Sequence, residues 1–398
     1  MNNYHKILLS SILFMGVQSI SSAQQTDDVD QLKINQIQIV GTHNSYARPV
    51  DPQIMNYVKP KAEFLFTKFF ESMSDSQKAK YMEYHPNQVS FEEGLRYNHP
   101  PLHEQLDSGI RNIELDVYYD PQGGKFTEPA SYVHLKKQGA TGLAYMDKKD
   151  LDKPGFKVLH MADLDFRTYL TTFRSALQDL RSWSDQNPDH FPIFIMVEAK
   201  EDNIPLFPNP TMPLKFDEQA FQELDKEAIA ILGRDKIITP DDIRGNYATL
   251  REAVLSKNWP QVKASRGKFI FLLLPNTAGL GEFGGVYAQS TPNLEGRAMF
   301  VNSSGKESFS AFLLMDNAIL RQKEIQQFVK NGFMVRTRSD IETYEAKMND
   351  FSRAEAAFES GSQIISTDFI KLPNTYGTEY KVTLPGNGEV RVNPVNGK

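Results

Sequence analysis

The chain has 398 residues, 40% hydrophobic and 24% charged, enough apolar material for one large core or two ordinary ones. A formal charge of −6 excludes the basic footprint of a nucleic-acid binder and gives no general attraction to anionic lipid, so any membrane contact has to be local and peripheral. With no cysteine there is no disulfide framework, no thiol nucleophile and no lipidated cysteine, and stability has to come from packing.

The chain opens on the plan of a secretory signal. Lys6 supplies a positive start, Ile7 to Ile20 an apolar stretch, and Ser21-Ser22-Ala23 small residues for cleavage. The apolar run is short and interrupted for a membrane span. Cleavage after Ala23 predicts an exported protein, periplasmic or secreted.

Ile34 to Val40 is rich in β-branched residues and ends at a glycine, which predicts a strand. Gly41-Thr42-His43-Asn44-Ser45-Tyr46 then places a histidine and an asparagine at its carboxyl end. From Ala47 to Pro101 the strand-to-helix rhythm is interrupted. A helix is expected from Lys61 to Tyr84, carrying Phe64, Phe66, Phe69, Phe70, Tyr81 and Tyr84, as a lid, a substrate wall or a plain cover. His99 and His103 are four apart, but Pro100 and Pro101 between them rule out a helical metal pair, so both are expected to be structural or surface residues.

A short helix, Leu102 to Gly109, leads to a strand from Arg111 to Val117. The period of two puts Glu114 and Asp116 on one face and Ile113, Leu115 and Val117 on the other. Two acids aimed inward need neutralising, and a metal ion would do it. A third strand, Lys157 to Met161, carries His160. Asp165 is expected to cap the following helix, which shows Leu170, Phe173, Leu177 and Leu180 on one stripe. The fourth strand, Pro192 to Lys200, is nearly continuous in apolar residues and ends Glu198-Ala199-Lys200, an acid and a cation on the same face.

The alternation continues with a helix from Phe216 to Leu232 and strands at Lys268–Leu274 and Arg297–Val301, the apolar run Ala311–Met315 close behind. A helix from Ile319 to Lys330 precedes a strand, Phe333 to Thr337, leading to Arg336, Arg338 and Asp340. The last strand, Gln363 to Thr367, has Asp368 at its end. Eight strands with helices between most of them predict an α/β fold, a (β/α)8 TIM barrel with long insertions on the catalytic face. The expected organisation is a signal peptide at 1–23, a barrel domain at 24–370, and a tail at 371–398 with one strand from Tyr380 to Leu384. Gly279 to Gly284 has the spacing of a dinucleotide-binding loop, but no helical pattern starts at Gly284, and a flexible loop is expected.

Four strands in succession end in His-Asn, Glu-x-Asp, His and Glu-x-Lys. Carboxylates with an amide carbonyl are hard oxygen ligands, suited to calcium or magnesium rather than zinc. Two histidines flanking such a cation suit phosphodiester cleavage, one taking a proton from the attacking hydroxyl and one giving a proton to the leaving oxygen. The cation and Lys200, Arg336 or Arg338 would offset the charge gathering on phosphorus.

These motifs, in this order, resemble the calcium-dependent phosphatidylinositol-specific phospholipase C family of bacterial type, among the TIM-barrel phosphodiesterases. The resemblance is carried by Gly41 to Tyr46, Gln105 to Val117, His160 with Asp165 and Thr168, Pro192 to Lys200, and Arg336 to Asp340. It implies a catalytic pair, His43 and His160. It implies one calcium ion, preferred over magnesium, on Asn44, Glu114, Asp116 and Glu198, with Lys200 near the phosphate. It implies a phospholipid or a soluble phosphodiester as substrate, with peripheral membrane contact and no nucleic acid. The long segments Ala47–Pro101 and Asp120–Pro154 depart from the family pattern and leave the head group open. The alternatives are a glycerophosphodiester phosphodiesterase-like hydrolase and a non-catalytic binding barrel.

Overall fold

The structure, a computed structural model, describes residues 29–275 and 283–397. The signal segment and most of the Gly279–Gly284 stretch lie outside the described residues.

The strands are β1 (Ile37–Thr42), β2 (Asn112–Asp120), β3 (Gly155–Val158), β4 (Ile193–Ala199), β5 (Phe269–Pro275), β6 (Met299–Val301), β7 (Phe312–Leu314), β8 (Met334–Arg338), β9 (Ile364–Thr367) and β10 (Arg391–Val392). Eight of them form a parallel sheet in the order β6-β5-β4-β2-β1-β9-β8-β7. A bridge from Asn302 to Phe312 joins its two ends, and Asn302 Oδ1 accepts from Leu314 N at 2.9 Å, so the barrel is nearly closed. β4 is buried along its length except at Glu198, which explains why its sequence does not alternate. Gly41 on β1 has a steric cause: a Cβ there would lie 2.3 Å from Asn112 Oδ1, in the barrel interior.

The count of eight staves stands, but one member differs from the sequence expectation. β3 runs antiparallel to the far half of β2, pairing Val117 with Val158 and Asp120 with Gly155, and is no stave. The eighth stave is β7, in the run Ala311–Met315. β2, at nine residues, overshoots the barrel rim, and its protruding edge can pair with a returning strand.

The inserted helix is really two, Pro52–Ser72 and Asp75–Tyr84. Asp51 caps the first by accepting from Gln53 N at 2.7 Å, with Pro52 in the first turn, where the missing N–H costs nothing. The start expected at Lys61 comes nine residues earlier, at Pro52, and Pro60 lies inside the helix. Ser74 begins the second with a capping box to Gln77. Asp165 does not cap the helix Phe173–Gln186; Thr172 does. Tyr380 to Leu384 is not a strand, yet Tyr380, Val382 and Leu384 are buried against the barrel, and β10 pairs with the start of β1.

Candidate active site

His43 follows β1 and Asp368 follows β9, its parallel neighbour. The register of that pair therefore delivers the two side chains to one place. His43 Nδ1 lies 3.1 Å from Asp368 Oδ1, and Arg338, from β8, donates to Asp368 Oδ2 at 2.9 Å. Buried His99 donates from Nε2 to the His43 carbonyl at 2.8 Å and lies 3.6 Å from Asp368 Oδ1. Burial raises the Asp368 carboxyl, but His43, His99 and Arg338 outweigh it and hold it far below the carboxylate range. Burial, with the Arg338 charge, also holds the His43 imidazole below its ordinary value, against the pull of Asp368.

His160 arrives by another route. After β3 the chain makes a tight loop in which His160 N and Met161 N donate to the Asp165 carbonyl at 3.1 and 2.9 Å. That loop returns the Asp165 side chain to His160 Nδ1 at 2.9 Å. Burial depresses this imidazole, yet the Asp165 hydrogen bond and charge prevail, and its value is raised. In both histidines Nδ1 is held by a carboxylate, which leaves Nε2 for chemistry.

Glu114 and Asp116 point into the barrel from β2, as their alternation requires, and Glu198 joins them from β4. The registers Glu114 with Met196 and Asp116 with Glu198 bring the three together. A carboxylate oxygen from each lies within 4.8 Å of the others. Asp116 is fully buried and neither of its oxygens has a hydrogen-bond partner among the described residues. Burial, then the Glu198 charge, pushes its carboxyl up to about 7. Lys200 lies 3.5 Å from Asp116 Oδ2 and 3.1 Å from Glu198 Oε1 and, despite burial, stays well above its ordinary value. One lysine cannot offset two carboxylates, and the orphaned oxygens of Asp116 fit a further cation. An all-oxygen donor set suits a hard divalent ion.

Asn44 sits at a left-handed φ of 46°, tolerated by asparagine. Its Nδ2 donates to the Tyr97 hydroxyl at 2.7 Å and its Oδ1 accepts from Tyr46 at 3.3 Å. This fixes the amide with the oxygen as the atom available to a cation.

The two arginines expected at the substrate part company. Arg338 lines a cavity of about 440 Å³ together with His43, His160 and Asp368. Arg336 is outside that lining, buried and committed to Glu114 at 3.1 Å, to Asp316 and to Ser366 Oγ at 3.0 Å. The cavity walls are Phe66, Tyr81, Phe91 and Tyr97, from the insertion. His103, as expected, is a surface residue, beside Asp179. Sequence reasoning left Asp368 without a role, although it follows its strand as His43 does. It took Asp165 for a cap and His99 for a structural or surface residue; His99 is buried beside His43 and Asp368.

Fold and site together define a parallel α/β barrel with two carboxylate-held histidines and an acid cluster at one end. The model of the family described as phosphoinositide phospholipase C, Ca2+-dependent, matches residues 32–394. The chain belongs to that family, and is a phosphatidylinositol-specific phospholipase C-like enzyme acting on phosphoric diesters. Among solved structures, the calcium-dependent phosphoinositol-specific phospholipase C of a Pseudomonas species, described as a myoinositol complex, is 15% identical with a TM-score of 0.54. The match covers 94% of this chain and 100% of that one. A second crystal form of it is 15% identical with a TM-score of 0.53, covering 92% and 96%. The Streptomyces antibioticus enzyme is 17% identical with a TM-score of 0.49, covering 84% and 94%. At 15% identity the likeness to the Pseudomonas structures bears on the fold alone. No curated protein matches the sequence.

Proposed function

We propose that the protein is an exported phospholipase C that cleaves phosphatidylinositol by internal attack, with His43 and His160 as the proton-transfer pair. One observation carries this reading: two histidines, each with Nδ1 held by a carboxylate, face one cavity beside a cluster of three acids, two of them buried. The inositol 2-hydroxyl is held beside phosphorus in the substrate itself, and an internal nucleophile has a large advantage over bulk water. His43 Nε2 takes the proton of that hydroxyl as its oxygen bonds to phosphorus. His160 Nε2 gives a proton to the diacylglycerol oxygen as its bond to phosphorus breaks. The lowered His43 and raised His160 suit a base and an acid respectively. Arg338, in the same lining, offsets negative charge on the phosphoryl oxygens, and Lys200 adds to the positive field.

Asn44, Glu114, Asp116 and Glu198 would hold one calcium ion. When bound it offsets charge on phosphorus and acidifies a hydroxyl that it contacts. The first product is then inositol 1,2-cyclic phosphate, which phosphorus NMR on the earliest product detects. A linear phosphomonoester from the start would replace the 2-hydroxyl by water. Cleavage of glycerophosphodiesters but of no inositol lipid would change the substrate and leave the histidine roles. The export reading rests on Lys6, the apolar stretch and Ser21-Ser22-Ala23. Sequencing the mature amino terminus tests it, with Gln24 the expected first residue.

A further inference from the structure

From Glu63 to Arg96 the inserted segment has no buried residue. Tyr97 and His99 then go under, exposed by 5% and 0%, with Asn98 left outside between them. Here the insertion lands on the barrel, and it lands on the turn that carries His43 and Asn44. His99 N donates to the Ala47 carbonyl at 3.2 Å, and His99 Nε2 to the His43 carbonyl at 2.8 Å. The Tyr97 hydroxyl accepts from Asn44 Nδ2 at 2.7 Å. The Tyr97 ring packs against the rings of His43 and His99, with centroids 5.7 and 5.9 Å away.

The turn needs this support. Asn44 is held at a left-handed φ of 46°, a conformation that persists where the surroundings over-determine it. A side-chain amide is also nearly symmetric in shape, so it can sit with oxygen and nitrogen exchanged. Two hydroxyls of opposite sense prevent that here. Tyr97 accepts from Nδ2, and Tyr46 donates to Oδ1 at the longer distance of 3.3 Å. A hard cation binds the amide oxygen and not the N–H side, so the setting of this one amide decides whether Asn44 is a ligand. Groups that orient a ligand from behind are typically worth 10- to 100-fold in metal affinity.

Tyr97 also belongs to the segment whose Glu63, Phe66, Tyr81, His85 and Phe91 line the catalytic cavity. A long stretch without a buried residue has little of its own to fix it, so the place of that wall depends on how its landing is held. We propose that Tyr97 couples the cation site to the insertion: its hydroxyl positions Asn44 for calcium, and calcium on Asn44 seats Tyr97 and the returning segment against the barrel. The coupling is reciprocal, since whatever factor the seated Tyr97 adds to calcium affinity, bound calcium adds to the seating of Tyr97. Tyr97 is thus a positioning residue that acts through Asn44. The inference rests on the reading that Asn44, Glu114, Asp116 and Glu198 hold calcium.

The test uses the full chain without substrate. Titration calorimetry with calcium gives the affinity, and hydrogen exchange follows the His99 amide with and without the ion. Tyr97→Phe keeps the ring and removes only the hydroxyl, and it should weaken calcium binding by about tenfold or more. Asn44→Ala should weaken it too, and adding Tyr97→Phe to Asn44→Ala should cost nothing further, because the two act as one unit. In the wild type, saturating calcium should slow exchange at the His99 amide, and in Tyr97→Phe that slowing should be lost. The wild-type exchange result stands by itself should a variant fold poorly, which melting in chelator reveals. Equal calcium affinity in wild type and Tyr97→Phe overturns the proposal and leaves the cation site standing. So does an additive loss in the double variant, or a wild-type His99 amide that calcium leaves unchanged. A wild type that binds no calcium would strike the cation reading itself, and the coupling with it.

Discussion

The two halves of the candidate catalytic mouth are built by different means. On one side His43, Asp368 and Arg338 hang from three adjacent staves, β1, β9 and β8, and the hydrogen-bonded register of the sheet fixes their separations. On the other side His160 stands off the barrel, on a loop after the antiparallel β3, and its partner Asp165 is only five residues away. A sheet-held group is positioned by contacts distant in sequence and is hard to move without unfolding. A loop-held group is positioned locally, and its support can be removed at little cost to the fold. The acid cluster on β2 and β4 belongs to the first kind.

The sharpest test of the sheet-held half is the acid cluster. Removing calcium with a chelator, or making Asp116→Asn, should cost several kcal/mol of transition-state stabilisation, about 10³-fold or more in rate. Calcium should restore the chelated wild type and raise its melting temperature, and should do neither for the variant. Full activity in chelator would remove the metal from the reading.

Next come the histidines themselves. His43→Ala and His160→Ala should each lower turnover by about 10²- to 10⁴-fold, the scale of lost acid–base catalysis, with folding little changed. A variant that melts early and recovers its rate on cooling would turn either histidine into a packing residue.

The supporting carboxylates separate the two halves most directly. Asp368→Asn and Asp165→Asn should both lower turnover by about tenfold or more, since each frees an imidazole that it now orients. Their stabilities should differ. Asp368→Asn leaves the half-buried Arg338 guanidinium without the carboxylate that it pairs with and should cost about 2 kcal/mol in denaturant unfolding. Asp165→Asn gives up one hydrogen bond in a local loop and should cost about 1 kcal/mol. Equal losses of stability would break the comparison.

The one effect expected on stability alone, with none on turnover, lies at the other end of the barrel, before β4. His190 is buried, hydrogen-bonded to Ser184 Oγ at 2.9 Å and to the Phe191 carbonyl, and burial pushes its imidazole down to about 4. Between its ordinary value of 6.5 and about 4 the unfolded chain therefore binds this proton and the folded chain does not. Stability should fall as the pH drops through that window, by at most about 3 kcal/mol from this group. His190→Asn should flatten the dependence in unfolding curves and leave turnover at neutral pH alone.

The sequence by itself determined the parallel barrel and the end of it where the candidate site residues gather. The apolar strand runs, their spacing and the period-two alternation of Glu114 with Asp116 are local properties, and local patterning survives into the fold. For the same reason His43, His160 and the acids were legible: each stands at or just past an apolar run. The tertiary structure alone decided which runs are staves. Val158 and Leu313 look alike in sequence, yet one pairs antiparallel with the overshoot of β2 and the other closes the barrel, because pairing depends on which edge is free. It also decided that Arg338 reaches the cavity while Arg336 is spent on Glu114 and Asp316, though both alternate to the same face. It joined Asp368 to His43 across 325 residues of chain, a contact that only the closed sheet creates. Local propensity specifies what each segment is; partners far apart in sequence are chosen by closure of the barrel, which no window of sequence contains.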